Sequence, residues 1–182
     1  IERVLKRAEG GEGEAYDEIR YEGYGPGGTA LIVESLTDNR NRTASEVRAA
    51  FNKFGGSLGE TGSVSFMFDR VGQVVYPADA TDADTMFEAA LDAGADNVES
   101  DDNGHEITCA TEDYNSVSEA LFAAFGAPEE AGLVWKPQNT IEVNEAQAST
   151  LIKLLDVLDD NDDVQSIASN FDIPDEIMAK LA

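Results

Sequence analysis

Tyr21-Glu-Gly-Tyr-Gly-Pro-Gly-Gly-Thr-Ala-Leu-Ile-Val-Glu-Ser-Leu-Thr-Asp-Asn-Arg-Asn-Arg-Thr43 brings a glycine-dense turn, an apolar strand and an Asn/Arg tetrad together in one short stretch. Its reading decides the fold. Gly23-Tyr24-Gly25-Pro26-Gly27-Gly28 satisfies G-x-G-x-x-G, which cradles a pyrophosphate only where a strand precedes it and a helix starts directly after it. Here Thr29 to Leu36 is an apolar, β-rich run with no helix start signal, and Tyr16 to Glu22 alternates apolar and polar residues as a strand does. The glycines therefore join two strands. Pro26 fixes one φ and glycine supplies positive φ. A kinase-type glycine loop also lies between strands, but it needs a lysine on the following strand, and residues 29–37 contain none. Gly25, Pro26, Gly27 and Gly28 read as a tight structural turn.

Asp38-Asn39-Arg40-Asn41-Arg42-Thr43 links that strand to Ala44–Phe54, where Val47, Ala50, Phe51 and Phe54 recur with helical spacing. Thr43 followed by Glu46 is a capping-box pattern, which predicts Thr43 as the N-cap; Gly55-Gly56 is the stop. Asn39, Arg40, Asn41 and Arg42 then sit in a loop at a helix start, with Arg48 and Lys53 on the polar side of the helix. Arginine forks match phosphate oxygens, and helix N-termini favour anions. The competing reading is a solvated loop whose arginines pair with Asp38 or Glu34.

The run EGYGPGGTALIVESLTDNRNRTASEVRAAFNKFGGSLGETGSVSFMF, Glu22–Phe68, closely resembles the YebC/PmpR family, which includes the mitochondrial translational activator of cytochrome oxidase. The resemblance continues more loosely through LIKLLDVLDDNDD, Leu151–Asp163, and VQSIASNFDIPDEI to the end of the chain. Family members begin with a basic helical domain. Residues 1–13 are expected to be a remnant of it, and the principal nucleic-acid contacts are expected in the missing part. The resemblance implies a non-enzymatic gene-expression factor: a DNA-binding transcriptional regulator, or alternatively a ribosome-associated translation factor aiding the synthesis of difficult peptides. Asn39, Arg40, Asn41, Arg42, Arg48 and Lys53 are the candidate nucleic-acid contacts within this chain.

Charge narrows where such contacts can lie. The net charge is −25, which opposes broad binding to phosphate backbones. Residues 1–70 hold nine Lys/Arg against twelve Asp/Glu, a net of −3; residues 71–182 hold three against twenty-five, a net of −22. Nucleic acid would have to meet the first seventy residues. The acidic remainder faces solvent or a basic protein.

A pass along the chain predicts strands at Gly62–Phe68, Gln73–Tyr76 and Leu133–Trp135, a helix from Thr81 or Asp82 to Gly94, and a hairpin of Asn97–Ser100 with Glu106–Cys109 around Asn103-Gly104. A second helix covers Asp113–Phe125. Residues 71–138 thus read β-α-β-β-α-β, the ferredoxin-like order. Residues 14–70 and 139–182 supply strand-strand-helix-strand, then an Asn144–Asp159 helix and a Val164–Ser169 strand. The expected fold class is α+β, with two small domains of ferredoxin-like type, one inserted in the other.

No enzyme emerges. His105 is the only histidine and Cys109 the only cysteine, so Ser-His-Asp, Cys-His and His-cluster metal sites lack parts. Both read as ordinary sheet residues. Asp159–Asp163 imitates the start of a calcium loop, but Val164 stands where glycine is required and Asn170 where glutamate is. It reads as a helix end with solvated carboxylates. Trp135, Phe66, Phe68, Phe122 and Phe125 are expected in the core. Residues 71–109 carry no Lys or Arg, and their only aromatics are Tyr76 and Phe87, a poor platform for stacking bases. No cofactor, metal or membrane contact is expected. The expected setting is cytoplasmic, given a single thiol and no apolar run long enough for a span, and the expected state is monomeric.

Overall fold

The computed structural model describes residues 16–181; the expectation for residues 1–13 lies outside them. The chain divides into two compact units, an outer one of residues 1–68 and 137–182 and an inserted one of residues 69–136. Helices and four-stranded sheets occur in both, so the class is α+β with two small domains.

In the outer unit, β1 (Asp17–Tyr24) and β2 (Ala30–Thr37) form an antiparallel hairpin. Helix α1 (Arg40–Lys53) follows, then the two-residue strand β3 (Ser57–Leu58). Past the inserted unit come β8 (Ile141–Glu142), α4 (Glu145–Asp160), β9 (Val164–Ser169), β10 (Phe171–Asp172) and α5 (Asp175–Leu181). The main sheet runs β3-β1-β2-β9, with the hairpin at its centre, and β8 pairs with β10 in a small parallel ladder. Residues 31 and 33 of β2 point to one face, where they meet Val47, Ala50 and Phe51 of α1 and Leu151, Leu154 and Leu158 of α4. Helix α4 starts from a full capping box, Asn144 and Gln147 each holding the other's backbone N–H.

The second face of this sheet is covered differently. Gly62–Phe68 was expected to be a strand; instead residues 62–67 form a loop ending in one 3-10 turn, Ser65–Met67, and only Phe68 is in a strand, as the first residue of the next one. The cause is Glu22. Its carboxylate is fully buried and accepts backbone hydrogen bonds from Gly62 (2.7 Å), Val64 (3.1 Å) and Ser65 (2.6 Å), with Arg20 Nε at 3.1 Å. Those N–H groups satisfy a charge and are not available for a ladder. Burial pushes the Glu22 carboxyl up, but the convergent N–H groups outweigh it and hold the group below the usual carboxylate range.

The inserted unit contains β4 (Phe68–Tyr76), α2 (Ala83–Ala93), β5 (Asn97–Asp101), β6 (Gly104–Cys109), α3 (Tyr114–Phe125) and β7 (Glu130–Pro137). The sheet order β5-β6-β4-β7 places the first and third strands of the unit side by side in the middle, as the ferredoxin-like pattern requires. Asp82 caps α2 by accepting from the Thr85 N–H at 2.7 Å, and Gly94 ends the helix at φ 103. Val74, Tyr76, Ile107 and Cys109 face Met86, Ala90, Val117 and Leu121. His105 lies buried on the same side of β6. Its ring nitrogens are 2.6 Å from Ser100 Oγ and 2.9 Å from the Thr81 carbonyl, tying the hairpin to the approach of α2.

Two of the expected core aromatics are exposed. Phe66 sits in the 3-10 turn, outside any strand alternation, and Phe122 is rotated one position away from the Val117/Leu121 stripe. Phe68 is buried, Phe125 stacks edge-on against Tyr76 with ring centres 5.8 Å apart, and Trp135 is half-buried beneath the Arg70 guanidinium.

Candidate nucleic-acid interface

The Asn/Arg tetrad is not a loop. Helix α1 begins at Arg40, with Asn39 as the N-cap whose side chain accepts from the Arg42 N–H at 3.1 Å. Thr43, expected as the cap, is a buried residue of the first turn. Its hydroxyl is 2.8 Å from Thr37 Oγ1 and donates to Asp163 Oδ2 at 2.8 Å. The partner is a hundred and twenty positions away in sequence, so the local capping signal could not show that the hydroxyl was already engaged.

Asp163 organises this end of the outer unit. It is buried, and its carboxylate also takes Arg42 Nη2 at 3.1 and 3.2 Å, while Arg42 reaches Asp38 at 3.0 Å. The hydrogen bonds to Asp163 first, then to Asp38, raise the Arg42 pKa above its ordinary value. The expectation of solvated carboxylates therefore fails at Asp163, whose carboxylate is held by Arg42 and Thr43 of α1; Asp159, Asp160 and Asp162 are exposed. Arg42 is a clamp, as the pairing with Asp38 in the competing reading anticipated.

Helical spacing sorts the remaining cations. Arg42, Glu46 and Lys53 fall on one stripe, four and seven residues apart. Glu46, Lys53, Val157 and Asp160 help to line a cleft of about 380 Å³ between α1 and α4. Arg42, Glu46, Asp162 and Asp163 line a second cleft of about 400 Å³. Three carboxylates against one guanidinium make that second cleft hostile to phosphate. Asn41 and Arg48 lie on a different stripe, seven residues apart, and Arg40, eight residues before Arg48, is offset from it by about 80° around the axis. All three are exposed, and no carboxylate pairs with Arg40 or Arg48 among the described residues. The expected set thus separates. Arg40, Asn41 and Arg48 lie exposed on one flank of α1, Asn39 is committed to capping, Arg42 is paired with Asp38 and Asp163, and Lys53 lies 5.5 Å over the Phe54 ring in the cleft that Glu46 and Asp160 also line.

The glycine turn forms a 3-10 turn, Pro26–Gly28, with Gly27 at φ 79 and Gly28 at φ 75. The Gly25 N–H donates to the Thr29 carbonyl at 2.8 Å and the Gly28 N–H to the Gly25 carbonyl at 3.2 Å, so both are used internally. A Cβ on Gly25 would stand 2.7 Å from Leu31 Cδ1 and 3.0 Å from Leu151 Cδ2. Close packing against the core explains that glycine. Among the described residues no group of three or more His, Cys, Asp or Glu side chains could hold a metal ion, and no helix is long and apolar enough to cross a membrane.

A ferredoxin-like unit inserted into a second α+β unit, with the Asn/Arg helix start locked by a distant aspartate, defines a two-domain α+β class of protein. The pattern described as TACO1/YebC second and third domain matches residues 16–171. A conserved hypothetical protein, Aq1575 from Aquifex aeolicus, is similar at 42% identity; the match covers 97% of this chain and 74% of that one, with a TM-score of 0.85. This chain belongs to the TACO1/YebC family, whose members are generally described as transcriptional regulator-like.

Proposed function

We propose that the protein is a non-enzymatic, DNA-binding transcriptional regulator, with Arg40, Asn41 and Arg48 as a phosphate contact on α1. The observation that carries this reading is the free cationic flank: two arginines without carboxylate partners, on one side of one helix, in a chain of net charge −25. Helical rise sets the two guanidinium roots about 12 Å apart along the axis. Arg40 also sits at the first turn, where the helix N-terminus adds to the attraction for an anion.

Filter binding of the chain to duplex DNA across a salt series tests it. Arg40→Ala and Arg48→Ala should each weaken binding and reduce the slope of log K against log salt by about 1. Arg42→Ala should leave the slope unchanged while lowering the melting temperature, because it loosens the Asp163 clamp. No measurable binding at low salt, or a slope that responds to Arg42 and not to Arg40, would sink the reading.

One observation favours the ribosome-associated alternative. The inserted unit holds sixteen acidic and two basic residues, a net of −14, which repels phosphate and suits basic proteins. Sedimentation in an extract separates the two readings. Co-migration with ribosomal particles after DNA digestion supports the second, and free protein captured by DNA supports the first.

A further inference from the structure

Sheet alternation in the inserted unit sends Val74, Tyr76, Ile107 and Cys109 to the helices, and sends Val71, Gln73, Val75, Glu106 and Glu99 to the opposite face. Register puts Glu99 directly opposite Glu106 across the β5/β6 pair. Like charges in that position destabilise a sheet. Glu106 is relieved by Lys136 Nζ and Gln73 Nε2, each at 2.9 Å. Glu99 is exposed and has no cation of its own among the described residues, and exposed Asp101 lies two positions along the same strand and face. Half-buried Val71 and Val75 supply an apolar strip beside the carboxylates. Folding alone gives no reason for an exposed Glu99 without a cation of its own, opposite another carboxylate and beside half-buried valines on a sheet face.

We propose that this sheet face is the docking surface for a lysine/arginine-rich polypeptide segment. The segment's cations would answer Glu99, Asp101 and Glu106, and its apolar side chains or alkyl stems would lie on Val71 and Val75. Charge complementarity selects the occupant: the unit's net charge is −14, and the one lysine near this carboxylate pair is already neutralised by Glu106. The proposal stands whether or not α1 contacts DNA, because it involves neither α1 nor the outer unit.

Titration of the chain with a ten-residue peptide alternating lysine and valine tests it, read by calorimetry and by amide shifts. Glu99→Lys should weaken binding about tenfold or more while raising the melting temperature, because it replaces a like-charge cross-strand pair with an opposite-charge one. Glu88→Lys on α2, the same charge change away from the sheet face, should weaken binding far less. Shifts should concentrate at residues 71–75 and 97–108. An equal loss in both variants would mean a diffuse field, and that outcome, absent binding, or shifts centred on the helices would each overturn the proposal. A rise in melting temperature together with a loss of binding marks a residue retained for a partner at the expense of the sheet.

Discussion

Glu22→Gln should destabilise the outer unit by about 3 kcal/mol, because a buried charge that accepts several hydrogen bonds is replaced by an amide. The glutamine oxygen can keep one or two of the donors from Gly62, Val64 and Ser65, but its NH2 group must then face an N–H. The amide also loses the charge opposite Arg20. Hydrogen exchange at those three amides is the direct readout, and it should accelerate by about two orders of magnitude relative to wild type, with denaturation giving the global figure. The pH dependence supplies a sign. The folded carboxyl titrates below its unfolded value, so its stabilisation is complete above that unfolded value, about 4.3, and is lost as pH falls through the folded value. The gap between wild type and Glu22→Gln should be constant near neutrality and narrow below about pH 4.5. A gap that widens on acidification would contradict an ionised Glu22.

Asp163→Ala should cost about 2 to 3 kcal/mol, less than a sealed ion pair would because Arg42 is partly exposed. Removal of the carboxylate leaves the Thr43 hydroxyl with Thr37 and the Asn39 carbonyl, and leaves Arg42 with Asp38. The loss should show as a lower denaturation midpoint at unchanged slope. Asp163→Asn separates shape from charge. It keeps an acceptor for Thr43 but not the guanidinium's counter-charge, so it should fall between wild type and alanine. If alanine and asparagine cost the same, charge is the dominant factor. If asparagine is neutral, Arg42 contributes little and the buried hydroxyl bond dominates.

These two residues mark the boundary of what the sequence made legible. Local signals were sufficient where the deciding neighbour is a few positions away. Of the two caps expected for α2, Thr81 or Asp82, Asp82 makes it; Gly94 stops the helix, Asn103-Gly104 closes the hairpin, and Pro26–Gly28 makes a turn between two strands. Spacing also placed the core face of α1, Val47 with Ala50 and Phe51. The same local logic misplaced the start of α1 at Thr43, whose hydroxyl is engaged by Asp163 and Thr37, while Asn39 makes the cap. It also read Gly62–Phe68 as a strand, because the apolar alternation was present but the backbone donors had been claimed by Glu22. Helix α5 and the β8/β10 ladder carried too few residues to give a periodic signal.

The candidate interface shows the same division. Residue types and charge balance were enough to direct attention to the Asn/Arg tetrad in an acidic chain. Only tertiary structure separated Arg40 and Arg48, which remain free, from Arg42, which is clamped, and likewise exposed Glu99 opposite Glu106. The sequence by itself determined the turns, the helices and the acidic balance, since those follow from interactions within a few residues. The tertiary structure decided which polar groups are already engaged. Asp163 meets Thr43 across 120 positions, Asn170 accepts from the Ala30 N–H at 2.7 Å across 140, and pairings at such separations exist only once the chain has closed on itself.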